Sequence, residues 1–339
     1  MRGQAFQVAI LYNLEYEVPK GDPHDLLAIQ YTANTTQKLY EALTSLGYNT
    51  LRVAVRDSLA ELQHVLYTLS PVDTFIFDNC DGFNGNNLAA VSVIRLVEEL
   101  GFSHTGTTAE GIELCTDKPR AKERLVECGI PTPAFQVFDR PEGIIRLDFP
   151  VIVKPATEDA SMGIGLHSVV THPIALFEAI QWVIEEYEQA AMVEQFIPGR
   201  EMAVAMWGNA PVEVLPISEE DYSSISDPLQ RLLTFEAKWE QDSYYYKNIL
   251  ACCPASLSPT EETRIQQVAI ATYHALGLRD FGRVDIRYYD DIPYVIDINE
   301  LPDLSPESGF WKSARAAGYQ YPVMIDRILH HALKREGWE

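Results

Sequence analysis

The stretch "RVDIRYYDDIPYVIDINELP", residues 283–302, decides how this chain is read. Most of its positions are β-branched, aromatic or otherwise apolar, which predicts strands over 283–289 and 294–299. The cluster "DDIP" at 290–293 supplies a turn, so the two segments pair antiparallel. Side chains alternate faces along a strand. With an even register Val284, Ile286, Tyr294, Ile296 and Ile298 form the apolar face, and Arg283, Asp285, Asp297 and Asn299 gather on the other. Carboxylates facing one another across a ribbon repel unless a proton or cation stands between them. An oxygen-rich group of this kind suits Mg2+, which keeps several waters and also takes phosphate oxygens. The same residues equally fit a solvated sheet face in an acid-rich protein, so the ribbon needs company before it reads as a metal clamp for a nucleotide.

That company begins at "FPVIVKPATEDASMGIG" (149–165), where Lys154 ends an apolar strand and a loop with Ser161, Gly163 and Gly165 follows. Backbone amides in such a loop approach phosphates closely. Further on, "VEQFIPGRE" (193–201) reads as a strand running into a turn, with Glu194 and Glu201 flanking it. A helix over 173–189, strands near 166–170, 202–207 and 212–217, a polar tract at 218–231 and a helix at 260–276 complete this α+β region. The first part of the chain differs: strands "FQVAIL" (6–11), "TLRVAV" (50–55) and "DTFIFD" (73–78) alternate with helical patterns around 25–46, 58–69 and 86–100. That order predicts a mostly parallel sheet with crossover helices. A helix at 117–128 stops at Gly129, and "IPTPAF" makes a proline-stiffened link.

The chain has 339 residues, 47% of them apolar, and a formal charge of -23. Its length allows roughly two or three domains. The negative charge disfavours a nucleic-acid backbone or an anionic membrane surface as partner, because like charges repel at long range. Any anionic ligand then needs local basic residues. Five cysteines lack metal-type spacing, and no basic-then-apolar leader precedes Val8, which points to a reducing cytoplasm. No apolar run reaches the roughly 20 residues that span a bilayer.

Taken together, "CTDKPRAKERLVECGIPTP", "FPVIVKPATEDASMGIG", "VEQFIPGREMAV" and the ribbon resemble the ATP-grasp superfamily, and within it the D-alanine–D-alanine ligases. "FEAKW" (235–239) followed by "CPASLS" (253–258) resembles a fifth block of that family. The resemblance covers most of the chain. It implies an α/β protein with an ATP-grasp fold: a Rossmann-like N-terminal domain over 1–115, a central subdomain over 116–200 and a C-terminal subdomain with the metal-binding hairpin over 201–339.

It also implies roles. Lys118 and Lys154 hold ATP phosphates, Glu194 the adenine amino group, the backbone at Phe196 and Ile197 the adenine edge, and Glu201 the ribose hydroxyls. Asp285, Asp297 and Asn299 hold two Mg2+ ions. Arg283 stabilises the reacting acyl centre, Lys238 faces phosphate or a substrate carboxylate, and Ser161 serves the loop at the reacting groups. Each has a plainer alternative: Lys238, Glu194 and Glu201 as surface charges, Lys154 as a strand-end lysine packed along its stem, Ser161 as a loop-tightening hydroxyl.

The likeness fails on the substrate side. Where the family carries a glycine-rich turn and an acidic motif, this chain reads "LYNLEYEVPKGDPHD" (11–25), with Glu15 or Glu17 in the acid's role. "DNCDGFNG" (78–85) replaces a histidine-and-glycine stretch, Ala160 aligns with a family serine, Trp239 with its tyrosine partner, and Asp303 with a glycine. That predicts the loss of the family's hydroxyl-to-hydroxyl arrangement. Ser308 matches a serine that binds the second amino acid's carboxylate, and fits a helix cap as well. The expectation is therefore an ATP-dependent carboxylate–amine ligase acting on small molecules, with a first substrate other than D-alanine. Attachment of serine or threonine to mycosporine-glycine is one case and a specialised dipeptide another. True D-Ala-D-Ala synthesis, a non-catalytic nucleotide binder, a kinase that stops at the phosphorylated acid, and a homodimer remain open.

Overall fold

The computed structural model describes residues 6–14, 26–56 and 58–339. The first third alternates as expected: β1 (Gln7–Asn13), α1 (Leu26–Ser45), β2 (Asn49–Val55), α2 (Leu59–Leu66), β3 (Thr74–Asn79) and α3 (Ala89–Glu99). The strands form a parallel sheet in the order β2-β1-β3. They read as near-continuous apolar runs because both faces are covered. Val8, Ile10, Phe75 and Phe77 pack with Leu39 and Leu43 of α1, while Ala9, Leu11 and Ile76 pack with Leu62 and Leu66 of α2 and Val93 and Val97 of α3. Two short helices follow back to back, α4 (Ala109–Thr116) and α5 (Lys118–Glu127). Asp117 ends the first and caps the second, its carboxylate accepting from the Arg120 amide. The sequence reading did not anticipate α4, which at two turns is too short for periodicity to declare itself.

A second, antiparallel sheet takes β4 (Phe135–Phe138), β5 (Val151–Pro155), β6 (Val169–Val170) and β7 (Ala191–Gln195) in the order β4-β7-β5-β6. Helix α6 (Pro173–Tyr187) covers one face, with Leu176, Ile180 and Val183 against Val151, Val153 and Val193. The third sheet contains β8 (Arg200–Trp207), β9 (Glu213–Val214), β10 (Ser218–Asp221), β11 (Leu250–Cys252), β12 (Phe281–Tyr289) and β13 (Ile292–Asn299). Its order is β11-β10-β8-β12-β13, with β9 paired to β8. Helices α7 (Phe235–Trp239) and α8 (Tyr244–Asn248) lie in the connection before β11, and α9 (Pro259–Ala275) packs on the face of Val204, Met206, Val284 and Ile286. Helices α10 (Gly309–Ala316) and α11 (Tyr321–Arg335) close the chain. Ile325, Ile328 and Leu329 of α11 share one core with Val8 and Leu39, and with Trp207 and Phe281. The first and third sheets are thereby welded by the C-terminal helix.

Two expectations about the ribbon are corrected. Its turn is only Asp290–Asp291, both left-handed (φ 49 and 63), with Tyr289 opposite Ile292. A two-residue loop of this hand matches strand twist. Pro293 thus lies inside β13, where an edge strand tolerates it. The register is also not even throughout: Arg283 faces Asn299 and Asp285 faces Asp297, but Ile286 faces Val295, leaving Ile296 as an inserted residue. Val284, Ile286, Val295 and Ile298 make the apolar face; Tyr294 and Ile296 do not. Such a bulge re-aims the side chains beyond it.

Candidate active site

The second and third sheets face one another across a cleft that gathers Lys118, Lys154, Glu194, Phe196, Ile197, Glu201, Ser161, Lys238, Arg283, Asp285, Asp297 and Asn299 along its walls. Cross-strand pairing explains the placement on the third sheet. Arg283, Asp285 and Arg287 alternate along β12 onto one face, opposite Ala205, Ala203 and Glu201 of β8.

At the head of α5, Lys118 lies 2.8 Å from Asp297 Oδ1 and 3.2 Å from Asp159 Oδ1. A lysine at a helix N-terminus opposes the helix dipole, and these carboxylates offset it. Burial would raise the Asp297 carboxyl, but Lys118, then Lys154 and Lys122, hold it down at about 2. Asp285 takes a two-pronged bond from Arg283, 2.7 and 2.9 Å, and a third from Asn299 Nδ2 at 3.1 Å. Burial works against the Arg283 charge and Asp285 more than restores it. The facing acids Asp285 and Asp297 are therefore each neutralised by a different cation.

Deeper in the cleft, Glu194 is 2% exposed and lies between two ammonium groups, Lys122 at 2.5 Å and Lys154 at 2.5 Å. Burial disfavours its charge, but the two lysines together hold its carboxyl below the ordinary range. Lys122 also donates to Thr132 Oγ1 and to the Val295 carbonyl; burial, only partly opposed by Glu194, lowers its ammonium to about 8. Lys154 reaches the Ile296 carbonyl at 3.2 Å, the backbone of the inserted residue. Lys122 was missed in the sequence, although it follows Lys118 by one helical turn in "DKPRAK". The Phe196 amide donates to the Pro150 carbonyl, so of the two backbones expected at the adenine edge Ile197 alone keeps an amide with no bond among the described residues.

The loop after β5 holds Ala160 and Ser161 with φ of 53 and 63, a costly conformation for residues with a Cβ. Gly163 is obligatory, since a Cβ there would meet Pro155 Cγ at 2.5 Å. This loop is tied to the segment 232–239 by three bonds: Ser161 Oγ to the Leu233 carbonyl at 3.0 Å, the Phe235 amide to the Ile164 carbonyl at 2.9 Å, and Trp239 Nε1 to the Ala160 carbonyl at 2.9 Å. Ala160 and Trp239, neither of which carries a hydroxyl, are joined by that indole-to-carbonyl bond. Lys238 Nζ lies over the Trp239 ring; burial, and next Arg283, lower its ammonium.

At the far end Ser308 caps α10, its Oγ accepting from the Trp311 amide at 3.0 Å. Asp303 accepts from the Ser305 amide and hydroxyl. Tyr31 stands edge-on to Trp239 and donates to Glu307 at 2.8 Å. Glu15 and Glu17 lie outside the described residues.

Magnesium suits the donor set on chemical grounds: two carboxylates and the amide oxygen of Asn299 are all hard oxygen donors, and phosphate oxygens and water complete such a shell. Among the described residues no group of three or more His, Cys, Asp or Glu offers an all-protein cage. No described helix is long and apolar enough to cross a membrane.

Two facing sheets, a glycine-bearing loop between them and paired acids beside lysines define an ATP-grasp protein. The family model for the D-ala D-ala ligase C-terminus matches residues 126–330. The D-alanine–D-alanine ligase of Alcanivorax borkumensis is 31% identical over 83% of this chain and 88% of its own length. An uncharacterized protein of Sinorhizobium fredii, y4sG, is 35% identical over 79% of this chain and 77% of its own. The fold matches the solved D-alanine–D-alanine ligase of Bacillus anthracis complexed with ATP, with a TM-score of 0.76 and 20% identity, covering 97% of this chain and 98% of that one. The chain belongs to the D-alanine–D-alanine ligase family and is, with it, an ATP-dependent, ADP-forming amide ligase.

Proposed function

We propose that this chain joins the carboxylate of a small molecule to the amino group of an amino acid, with a first substrate other than D-alanine. The observation that carries the reading is the Asp285–Asp297 pair, which is matched by Arg283 and Lys118 on the same cleft. ATP lies in that cleft, with Lys118 and Lys154 toward its phosphates, Ile197 and Glu194 toward adenine and Glu201 toward ribose. Asp285, Asp297 and Asn299 hold Mg2+; when bound, the metal supplies charge neutralisation for the transferring phosphate. The substrate carboxylate oxygen attacks the γ-phosphorus, the bond to the bridging oxygen breaks and ADP leaves. The amine nitrogen then attacks the acyl carbon of the acyl phosphate, phosphate departs with the bonding pair, and the nitrogen gives up a proton. Arg283 and Lys238 lie where negative charge gathers in both steps. The bonds from 232–239 to the loop 159–165 keep water off the acyl phosphate, which otherwise hydrolyses.

A different first substrate is supported by the replacements at Ala160, Trp239 and Asp303, and by "DNCDGFNG" at 78–85. The three-unit division at 115 and 200, a cytoplasmic setting and a homodimer belong to the same reading. The test is amine-dependent ADP release across a panel of carboxylates and amino acids, with mass spectrometry of the product. D-Alanine and mycosporine-glycine with serine or threonine belong in the panel. A pairing that excludes D-alanine from the first position supports the proposal, and preferred formation of D-alanyl-D-alanine overturns its substrate part. ADP release without any amine would mark a kinase.

A further inference from the structure

Arg287 was not singled out by its sequence, yet it is among the most heavily engaged side chains of the cleft. It sits opposite Glu201 in the strand register, and its guanidinium is 5% exposed. Nη2 lies 2.6 Å from Glu201 Oε2 and 2.6 Å from the Arg231 carbonyl, and Nη1 is 3.0 Å from the Gly199 carbonyl. Its plane lies between the rings of Phe196 and Tyr222, 5.6 and 5.5 Å from their centroids. Tyr222 donates its hydroxyl to the same Glu201 Oε2 at 2.7 Å. Glu201 Oε1 receives no bond among the described residues, and Glu201 lines the cleft. One oxygen is thus anchored twice while the other is left to a ligand. Only a planar, many-donor cation serves a carboxylate, two carbonyls and two ring faces together.

We propose that Arg287 is a positioning residue for recognition of a vicinal hydroxyl pair: it holds Glu201 aimed into the cleft, and through the Arg231 carbonyl and Tyr222 it fastens the segment 222–231 to that same point. The inference rests on the reading of Glu201 as the acceptor for the nucleotide's ribose. It is tested by calorimetric titration of the full chain with ADP and with 2′-deoxy-ADP, which needs no turnover. The native chain prefers ADP by about tenfold, the worth of a charge-assisted hydrogen bond. Glu201→Ala removes the preference. Arg287→Met, with folding checked by circular dichroism, brings it to within about twofold of parity while weakening 2′-deoxy-ADP far less than ADP. If Glu201→Ala loses the preference and Arg287→Met keeps it, the role of Arg287 is overturned and the ribose reading stands. If Glu201→Ala keeps it, the ribose reading falls and the inference with it. Should Arg287→Met not fold, Tyr222→Phe, which removes one anchor from Oε2, decides on the same terms: a drop of about threefold supports the inference and an unchanged preference overturns it.

Discussion

Asp285 stands directly opposite Asp297 in the ribbon, and each acid has its own cation, Arg283 for the first and Lys118 for the second. Asp297→Asn removes a charged oxygen and leaves Lys118 with Asp159. Half-saturation by Mg2+ in ADP release should rise by about tenfold or more, and kcat/KM should fall about a hundredfold. An unchanged Mg2+ titration would remove Asp297 from the metal site.

Lys154→Ala takes one of two ammonium groups from Glu194, which is buried and cannot be solvated in their place. Breaking a buried ion pair costs about 3 kcal/mol. The variant should melt earlier and bind ATP about tenfold more weakly. Unaltered nucleotide affinity, measured by calorimetry on folded protein, would leave Lys154 a structural lysine only.

Ser161→Ala and Trp239→Phe each cut one bond between the loop and its cover. Both should raise ADP release in the absence of amine, about threefold singly and more together, as water reaches the acyl phosphate. If the leak stays at the native level while amide formation slows, the cover does not exclude water.

Glu220 sits opposite Glu201 on the cleft face; burial, then Glu201, raises its carboxyl from 4.5 to about 7. The folded chain therefore holds a proton between those values that the unfolded chain has lost. Stability from this group falls as pH rises through that window. Glu220→Gln should gain about 3 kcal/mol over the native chain between pH 4 and pH 8, read from urea midpoints. Parallel curves for the two proteins would contradict the raised value.

The parallel first sheet was legible because both of its faces are covered, so its strands carry uninterrupted apolar runs. The cleft was legible where chemistry repeats at strand spacing: Arg283, Asp285, Asp297 and Asn299 came out together as read. Position 296 did not, because alternation has no marker for an inserted residue, and the isoleucine there suits either face. Lys122 and Arg287 were passed over for a different reason. Each is a lone basic residue whose meaning depends on a partner far along the chain, Glu194 in one case and Glu201 in the other. Ser308 and Trp239 show the converse, since each spends a polar group on the protein's own backbone.

The single inserted residue in β13 has a consequence for how this chain can vary. Because of it, neighbouring positions 296 and 297 both address the cleft, one offering its peptide oxygen to Lys154 and the other its side chain to Lys118. Deleting Ile296 would restore strict alternation with Asp297 still opposite Asp285, but it would remove the carbonyl that Lys154 uses. The length of β13 is thus as much a part of the site as its acids, whereas the exposed turn at Asp290–Asp291 lies at the opposite end of the ribbon from Arg283 and Asn299.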